Sequence, residues 1–272
     1  MTLVMGILNV TPDSFSDGGR YAELDAAIAR GLQLARDGAD LVDVGGESTR
    51  PGAARVSPEE ERRRVVPVIR ALTEAGVATS IDTMNASTAR AAVEAGAGIV
   101  NDVSGGLADR AMAGTVADLA CEFVAMHWRA HSTEMDGLDT YEDVVREVGA
   151  ELQARVDALV AAGVAEQRIV LDPGLGFSKV TESNWPLLAR MPDWAGGRRV
   201  LVGASRKRFL GAAIARPGVD AADPAAREAA TTAVTTLAAA SGAWAVRVHD
   251  ARAAVDAIRV VSAWENAART EG

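Results

Sequence analysis

Eight short apolar segments recur along the 272-residue chain, and a segment with helical periodicity follows each of them. The predicted strands are 4–9, 40–44, 77–82, 98–102, 122–127, 168–172, 199–203 and 244–249. The predicted helices are 24–36, 58–75, 86–95, 108–119, 141–162, 182–190, 224–240 and 253–264. Alternation of this kind implies parallel strands joined by right-handed crossovers. Eight such units predict an α/β fold, the (β/α)8 TIM barrel, as a single domain over residues 1–272.

An open, doubly wound sheet is the alternative arrangement of alternating strands and helices. That fold usually carries a G-x-G-x-x-G turn after its first strand. Here the first strand ends at Asn9 and runs into Val10-Thr11-Pro12-Asp13, so the closed barrel is favoured. The second helix has a clear start, because Ser57 suits the N-cap, Pro58 the first helical position and Glu59 the first turn.

The charge balance and the cysteine content limit the class of protein. The 28 basic and 37 acidic residues give a net charge of −9, which argues against a general nucleic-acid surface and requires any anion site to be local. One cysteine, Cys121, allows no internal disulfide and is typical of a reducing compartment. No apolar run reaches the roughly 18 residues that span a membrane, and the amino terminus lacks the basic region of a signal peptide. We therefore expect a cytoplasmic protein that binds neither nucleic acid nor membrane.

Polar residues gather at the C-terminal ends of the predicted strands, where barrel enzymes carry their active sites. In chain order they are Asn9, Glu47, Asp82, Asn101, His127, Asp172, Lys207, Arg247 and His249. The carboxylates and amides of strands three, four and six suit a polar heterocycle with ring N–H and amino groups. The cations of strands seven and eight suit a phosphate or pyrophosphate. A purely structural pairing of Lys207 with Asp172 is also open, and it is compatible with a role in binding.

Seven segments, in this order along the chain, resemble the dihydropteroate synthase family. They are 9–19, 45–52, 80–83, 100–106, 172–177, 205–207 and 247–250. The stretch Met126-His127-Trp128-Arg129 is most similar to actinobacterial members. Members of this family join 7,8-dihydropterin-6-ylmethyl diphosphate to p-aminobenzoate, giving 7,8-dihydropteroate and diphosphate in folate biosynthesis, and sulfonamides inhibit them.

The resemblance implies a role for each matching residue. The pterin ring would be held by Asp82, Asn101 and Asp172 and contacted by Lys207. The diphosphate would be bound by Arg247 and His249, with Asn9 holding Mg²⁺ against it. Further ligand contacts would come from Thr49, Arg50, Pro51 and Phe177, the last three on the p-aminobenzoate side. The catalytic residues would be Asp17, Lys207, Arg247 and His249. Asp17, and with it Phe15, would reach the site when the loop after the first strand closes over the ligands. A homodimer through the last helices is also implied.

The reaction is a substitution at a methylene carbon, and the pterin can spread positive charge from that carbon into its ring. A dissociative, SN1-like path is therefore favoured, and it needs a stabilised leaving group rather than a protein nucleophile. We accordingly interpret Cys121 as a core residue. In many members a serine follows Ser-Arg-Lys; here Arg208 stands in its place, and neither Arg208 nor His131 is given a role.

Two other functions share part of this pattern. A methyltetrahydrofolate–corrinoid methyltransferase uses a similar pterin-binding barrel, but it needs no diphosphate site. A catalytically silent paralogue would bind pterin alone. Pyrophosphate release that depends on p-aminobenzoate distinguishes all three.

Overall fold

The computed structural model describes residues 1–11, 19–47, 56–129 and 140–269. Its eight strands are all parallel: β1 Leu3–Asn9, β2 Leu41–Gly45, β3 Thr79–Asp82, β4 Ile99–Asp102, β5 Glu122–Met126, β6 Ile169–Asp172, β7 Leu201–Val202 and β8 Ala245–Val248. β1 pairs with both β2 and β8, and a bridge between Leu171 and Val200 joins β6 to the segment before β7. The predicted (β/α)8 barrel is confirmed.

Ten α-helices occur in the described part of the chain. They are α1 Gly19–Arg36, α2 Pro58–Glu74, α3 Ala86–Glu94, α4 Met112–Leu119, α5 Val144–Ala161, α6 Thr181–Ala189, α7 Met191–Ala195, α8 Arg208–Ile214, α9 Glu228–Ala240 and α10 Ala251–Arg269. The sequence did not predict α7 and α8, which are short. None of these helices is long and apolar enough to cross a membrane.

Side-chain caps explain where two of the helices begin. α2 starts as predicted, because the Ser57 hydroxyl accepts a hydrogen bond from the backbone N–H of Glu60 at 3.3 Å. α5 starts three residues later than predicted, because the Asp143 carboxylate accepts from the backbone N–H groups of Val145 and Arg146, each at 3.1 Å.

The strands bury side chains on both faces, and the two faces alternate along each strand. One apolar residue from each of seven strands fills the inside of the barrel: Met5, Leu41, Ile99, Val124, Val170, Leu201 and Ala245. The larger core lies between the outer face of the strands and the helices. A residue two positions after an inward one also points inward. The next layer of inward-facing side chains, at the C-terminal mouth of the barrel, therefore contains Asp43, Asn101, Asp172 and Arg247.

Candidate active site

The guanidinium of Arg247 lies at the centre of the barrel mouth between two carboxylates. Its Nε donates to Asp43 Oδ2 at 2.6 Å, and its Nη2 donates to Asp82 Oδ2 at 2.7 Å. The amide of Asn101 donates from Nδ2 to the same Asp43 oxygen at 3.0 Å. These four residues, from β8, β2, β3 and β4, are called the Arg247 cluster below. The cluster brings the predicted ring-binding residue Asp82 into direct contact with the predicted diphosphate-binding residue Arg247, and it joins Asn101 to Arg247 through Asp43.

Asp82 is buried at the end of β3, and its environment favours the neutral carboxyl. Burial raises the pKa of Asp82 to about 7; the Arg247 charge opposes this rise, and the Asp43 charge adds to it. The carboxyl can therefore hold a proton near neutral pH and give it up when a cationic or N–H group approaches.

Asp172 and Lys207 face each other across an inward-facing glycine. A Cβ placed on Gly203 would lie 3.6 Å from Asp172 Oδ2 and 3.9 Å from Lys207 Nζ. Asp172 Oδ1 accepts from the backbone N–H of Gly174 at 2.7 Å. Burial lowers the pKa of Lys207 to about 8, against the attraction of Asp172, and burial raises the pKa of Asp172. The pair forms a second charged wall of the mouth.

The ammonium of Lys207 also contacts the loop that follows β6. Its Nζ donates to the carbonyl of Leu175 and lies 4.7 Å from the centre of the Phe177 ring. That distance allows a cation–π interaction. Phe177 therefore lies at the barrel mouth beside Lys207, as the predicted site requires.

Ser205 holds His249 at the end of β8. The Ser205 hydroxyl oxygen lies 2.9 Å from His249 Nδ1 and accepts from the His249 backbone N–H at 3.2 Å. Arg206 follows in the left-handed region, with φ +58°, and its guanidinium forms an ion pair with Glu228. The charge of Arg206 is thus directed to α9. A non-glycine residue in this conformation marks a tight turn, which separates Ser205 from Lys207.

Asn9 ends β1 with an exposed side chain on the inward face. A Cβ placed on Gly45 would lie 3.7 Å from Asn9 Oδ1 and 3.6 Å from Asp82 Oδ2, so this glycine keeps the space between them open. Within the described residues no group of three or more His, Cys, Asp or Glu side chains is arranged to hold a metal. A single amide oxygen beside open space fits Mg²⁺, which takes few protein ligands and completes its shell with phosphate and water.

One of the polar strand ends does not belong to the mouth, whereas Glu47 lines a small pocket together with Asp82. His127 comes one residue after inward-facing Met126 and is buried on the outer face of the barrel, against α5. Glu47 accepts from the backbone N–H of Val56 at 3.2 Å. The expected ligand contacts Thr49, Arg50 and Pro51, and the expected lid residues Phe15 and Asp17, lie outside the described residues.

His127 is part of a buried network that could not be expected from the sequence. Lys179 Nζ lies 2.9 Å from His127 Nδ1 and donates to the carbonyls of Gly174, at 3.2 Å, and Phe177, at 3.0 Å. His127 Nε2 lies 2.9 Å from Glu151 Oε2. Burial lowers the pKa of Lys179 to about 7. The network anchors the loop after β6 to β5 and α5. Leu175 and Phe177 of this loop contact Lys207.

The barrel mouth thus combines hydrogen-bond acceptors for a heterocycle with cations for a phosphate, which defines an enzyme that binds a phosphorylated heterocycle. Residues 5–249 match the family described as pterin binding enzyme. The dihydropteroate synthase of Mycobacterium leprae is 54% identical over 97% of this chain and 94% of its own length. The chain therefore belongs to the dihydropteroate synthases, transferases of folate biosynthesis.

Solved structures of relatives agree with this assignment. The Xanthomonas albilineans dihydropteroate synthase with 4-aminobenzoic acid is 45% identical, with a TM-score of 0.88 over 97% of this chain and 93% of that one. The same relative has been solved in complex with 7,8-dihydropteroate. The Yersinia pestis dihydropteroate synthase, solved as a sulfonamide drug complex, is 37% identical, with a TM-score of 0.89 over 97% of this chain and 94% of that one.

Proposed function

We propose that this chain joins 7,8-dihydropterin-6-ylmethyl diphosphate to p-aminobenzoate and releases diphosphate. The observation that carries this proposal is the Arg247 cluster, in which Asp82 and Asn101 share hydrogen bonds, directly or through Asp43, with Arg247. A ligand that reaches these residues together must offer N–H donors at one end and an anion at the other. Family membership supports the same substrates.

The pterin ring would bind to Asp82, Asn101 and Asp172. Asp82 Oδ2 and Asp172 Oδ1 already accept from protein N–H groups, which fixes the orientation of both carboxyls. Their second oxygens can accept from the amino group and ring N–H of a pterin. A neutral carboxyl can also donate, so the raised pKa of Asp82 allows either role. Lys207 supplies a donor to the same ring from the opposite side.

The diphosphate would bind to Arg247 and His249. If the Ser205 hydroxyl donates to Nδ1 of the neutral imidazole, the ring hydrogen lies on Nε2 and can be donated to a phosphate oxygen. Asn9 would contribute one oxygen to Mg²⁺, and the metal, when bound, neutralises part of the diphosphate charge. The two carboxylates preorganise Arg247 for anion binding, because they fix the plane of the guanidinium before the ligand arrives.

In the reaction, the bond between the methylene carbon and the diphosphate oxygen breaks, and its electron pair leaves with the diphosphate. Arg247, His249 and Lys207 stabilise the negative charge that develops on the leaving group. The pterin ring carries the positive charge, and the buried carboxyls Asp82 and Asp172 lie near it. The amine of p-aminobenzoate then forms the new carbon–nitrogen bond, and its extra proton passes to solvent water. The protein supplies position and charge, and no covalent intermediate with the chain is required.

A homodimer is proposed on the surface formed by α9 and α10. These helices pack together, and three large apolar side chains on them are exposed: Leu237 at 67%, Val260 at 62% and Trp264 at 79%. A second copy of the chain would cover them. Sedimentation equilibrium of the protein and of a Trp264→Glu variant tests this, and a monomeric wild-type protein would reject the dimer.

The decisive experiment on function has two stages. Isothermal titration with pterin diphosphate should show binding, and pyrophosphate release should then depend on p-aminobenzoate. Binding without release would reject the synthase activity and favour a silent paralogue. Methyl transfer from methyltetrahydrofolate to a corrinoid would favour the methyltransferase instead. Sulfonamides should compete with p-aminobenzoate, and non-competitive behaviour would reject a shared pocket.

A further inference from the structure

One oxygen of Asp43 holds two side chains of the site. Asp43 Oδ2 accepts from both Asn101 Nδ2 and Arg247 Nε. The residue lies within β2, fully buried, and its Oδ1 has no hydrogen-bond partner among the described residues. A buried carboxylate with an unpartnered oxygen lowers the stability of the fold. The residue is therefore poorly explained by stability alone.

The contact with Asp43 determines which way the Asn101 amide points. An ionised carboxylate can only accept hydrogen bonds, so the amide must turn its NH₂ group toward Asp43. The amide oxygen of Asn101 then faces away from Asp43. Because the Asn101 side chain lies on the inward face of β4, the group that it offers to a ligand is an acceptor.

The same oxygen restricts the guanidinium of Arg247. Nε is committed to Asp43 and one N–H of Nη2 to Asp82, which leaves the outer N–H groups of the guanidinium for an anion. Removing Asp43 would therefore alter the orientation of both Asn101 and Arg247.

We propose that Asp43 is a positioning residue that selects a ligand ring with a hydrogen-bond donor opposite Asn101 and couples this selection to anion binding through Arg247. The inference rests on the proposed function, in which one substrate carries both the ring and the diphosphate. Asp43 itself touches Asn101 and Arg247, and its effect on the ligand passes through them.

The first test is Asp43→Asn, measured by isothermal titration with two separate probes: a dihydropterin without diphosphate, and inorganic pyrophosphate. An amide at position 43 has one acceptor oxygen. When Arg247 Nε holds that oxygen, the NH₂ of the amide donates to Asn101 Oδ1 and turns the Asn101 NH₂ toward the ligand. We expect the affinity for each probe to fall by at least about tenfold, the usual effect of losing one buried hydrogen bond. Unchanged affinity for the dihydropterin would overturn the proposal.

The second test exchanges the two side chains, combining Asp43→Asn with Asn101→Asp. The amide now lies at position 43, and the carboxylate at position 101 again offers an acceptor to the ring. We expect the dihydropterin affinity to return to within about tenfold of wild type. Pyrophosphate binding should stay weak, because position 43 no longer carries the carboxylate that orients the guanidinium of Arg247. An exchanged variant that folds and binds dihydropterin no better than Asp43→Asn would overturn the proposal. If Asp43→Asn does not fold, the exchanged variant is compared with wild type alone, and a dihydropterin affinity more than about tenfold below wild type would overturn the proposal.

Asp102→Asn is the matched control for loss of a buried carboxylate. Asp102 is the next residue after Asn101, is equally buried, and points outward, where it accepts from the Ser104 hydroxyl at 2.6 Å. This variant should lower the melting temperature and leave both affinities unchanged; a matching loss of both affinities would mean that Asp43→Asn reports general damage. Failure of the wild type to release pyrophosphate with p-aminobenzoate would reject the proposed function, whereas the two affinities test Asp43 independently of turnover.

Discussion

Nζ of Lys179 lies 2.9 Å from Nδ1 of His127, which places an ammonium group against one ring nitrogen of a buried histidine. Protonated Lys179 can only donate, so Nδ1 is then the acceptor, and the ring hydrogen lies on Nε2, toward Glu151. Protonation of His127 would put an N–H group against the ammonium. Burial and the Lys179 charge together lower the pKa of His127 to about 4.

This relationship predicts how stability varies with pH. The unfolded chain binds a proton on His127 near pH 6.5, and the folded chain binds one only near pH 4. The stabilising contribution of His127 is therefore complete above pH 6.5 and is lost as the pH falls to 4. We expect the stability advantage of wild type over His127→Gln to shrink by roughly 2–3 kcal/mol across this window, as measured by urea unfolding.

The comparison with His127→Gln cancels the titrations that do not depend on His127. Burial raises the pKa of Asp82 and of Asp102, and these groups lose stability as the pH rises, which opposes the His127 effect in both proteins. The other neighbours of His127 are Glu151, Arg129 and Tyr141. The hydrogen bond with His127 lowers the pKa of Glu151, and a glutamine at position 127 keeps a donor to the same carboxylate. A constant difference in unfolding free energy from pH 7 to 4 would contradict the prediction.

The eight strands and the eight longer helices were predictable in number and order, because buried strands and amphipathic helices leave a clear periodic pattern. The two missed helices, α7 and α8, have too few residues to show a period. Tertiary contacts define them instead. Trp194 in α7 donates from Nε1 to the carbonyl of Leu187 at 2.8 Å. Phe209 in α8 packs edge-on against Trp185, with 5.1 Å between the ring centroids.

The site was only partly predictable, because strands of a parallel barrel are buried on both faces and read as continuous apolar runs. Polar strand ends could be recognised, but whether each points inward or outward depends on its register with the interior residues. This is why the sequence pattern wrongly predicts His127 at the mouth, although its side chain points outward. Asp43 lies between Val42 and Val44 in an apolar strand, and its position two residues after Leu41 is the signal that identifies it as an inward-facing residue.

The ammonium of Lys207 is expected to stabilise the leaving diphosphate and to contact the ring. Lys207→Ala should lower kcat/KM by about 10²–10³-fold, the usual effect of losing one donor to a developing charge. The protonated form is the active one, so wild-type activity should fall as the pH rises through about 8. Lys207→Arg should keep part of the activity and move this alkaline limit upward. Near-normal turnover of a folded Lys207→Ala variant would show that the residue is structural.

Gly174 is required by the backbone of the loop after β6. Its φ is +66°, and a Cβ there would lie 2.4 Å from the carbonyl oxygen of His127. Gly174→Ala should lower the free energy of unfolding by about 2–5 kcal/mol, combining left-handed strain with a backbone clash. Gly218→Ala is the control, because its φ is +83° and no atom lies within 4 Å of the added Cβ. That variant should lose about 1–2 kcal/mol, and an equal loss in both would show that the clash is relieved.

The substitution Gly203→Ala should weaken dihydropterin binding without destabilising the fold. Its backbone is not left-handed, and an added Cβ would make ordinary contacts at 3.6 Å with Asp172 and 3.9 Å with Lys207. The methyl group would nevertheless enter the space where these two side chains are proposed to meet the ring. Gly203→Ala should keep the unfolding free energy within about 1 kcal/mol of wild type and weaken dihydropterin binding by at least about tenfold.

Gly114→Ala is the control for the added methyl group, since Gly114 lies in α4 and no atom lies within 4 Å of its added Cβ. It should raise the unfolding free energy by about 0.5–1 kcal/mol and leave the titration unchanged. Dihydropterin binding by Gly203→Ala at wild-type affinity would show that the ring does not reach between Asp172 and Lys207. The ring would then have to bind through the Arg247 cluster alone, and Lys207 would act only on the diphosphate.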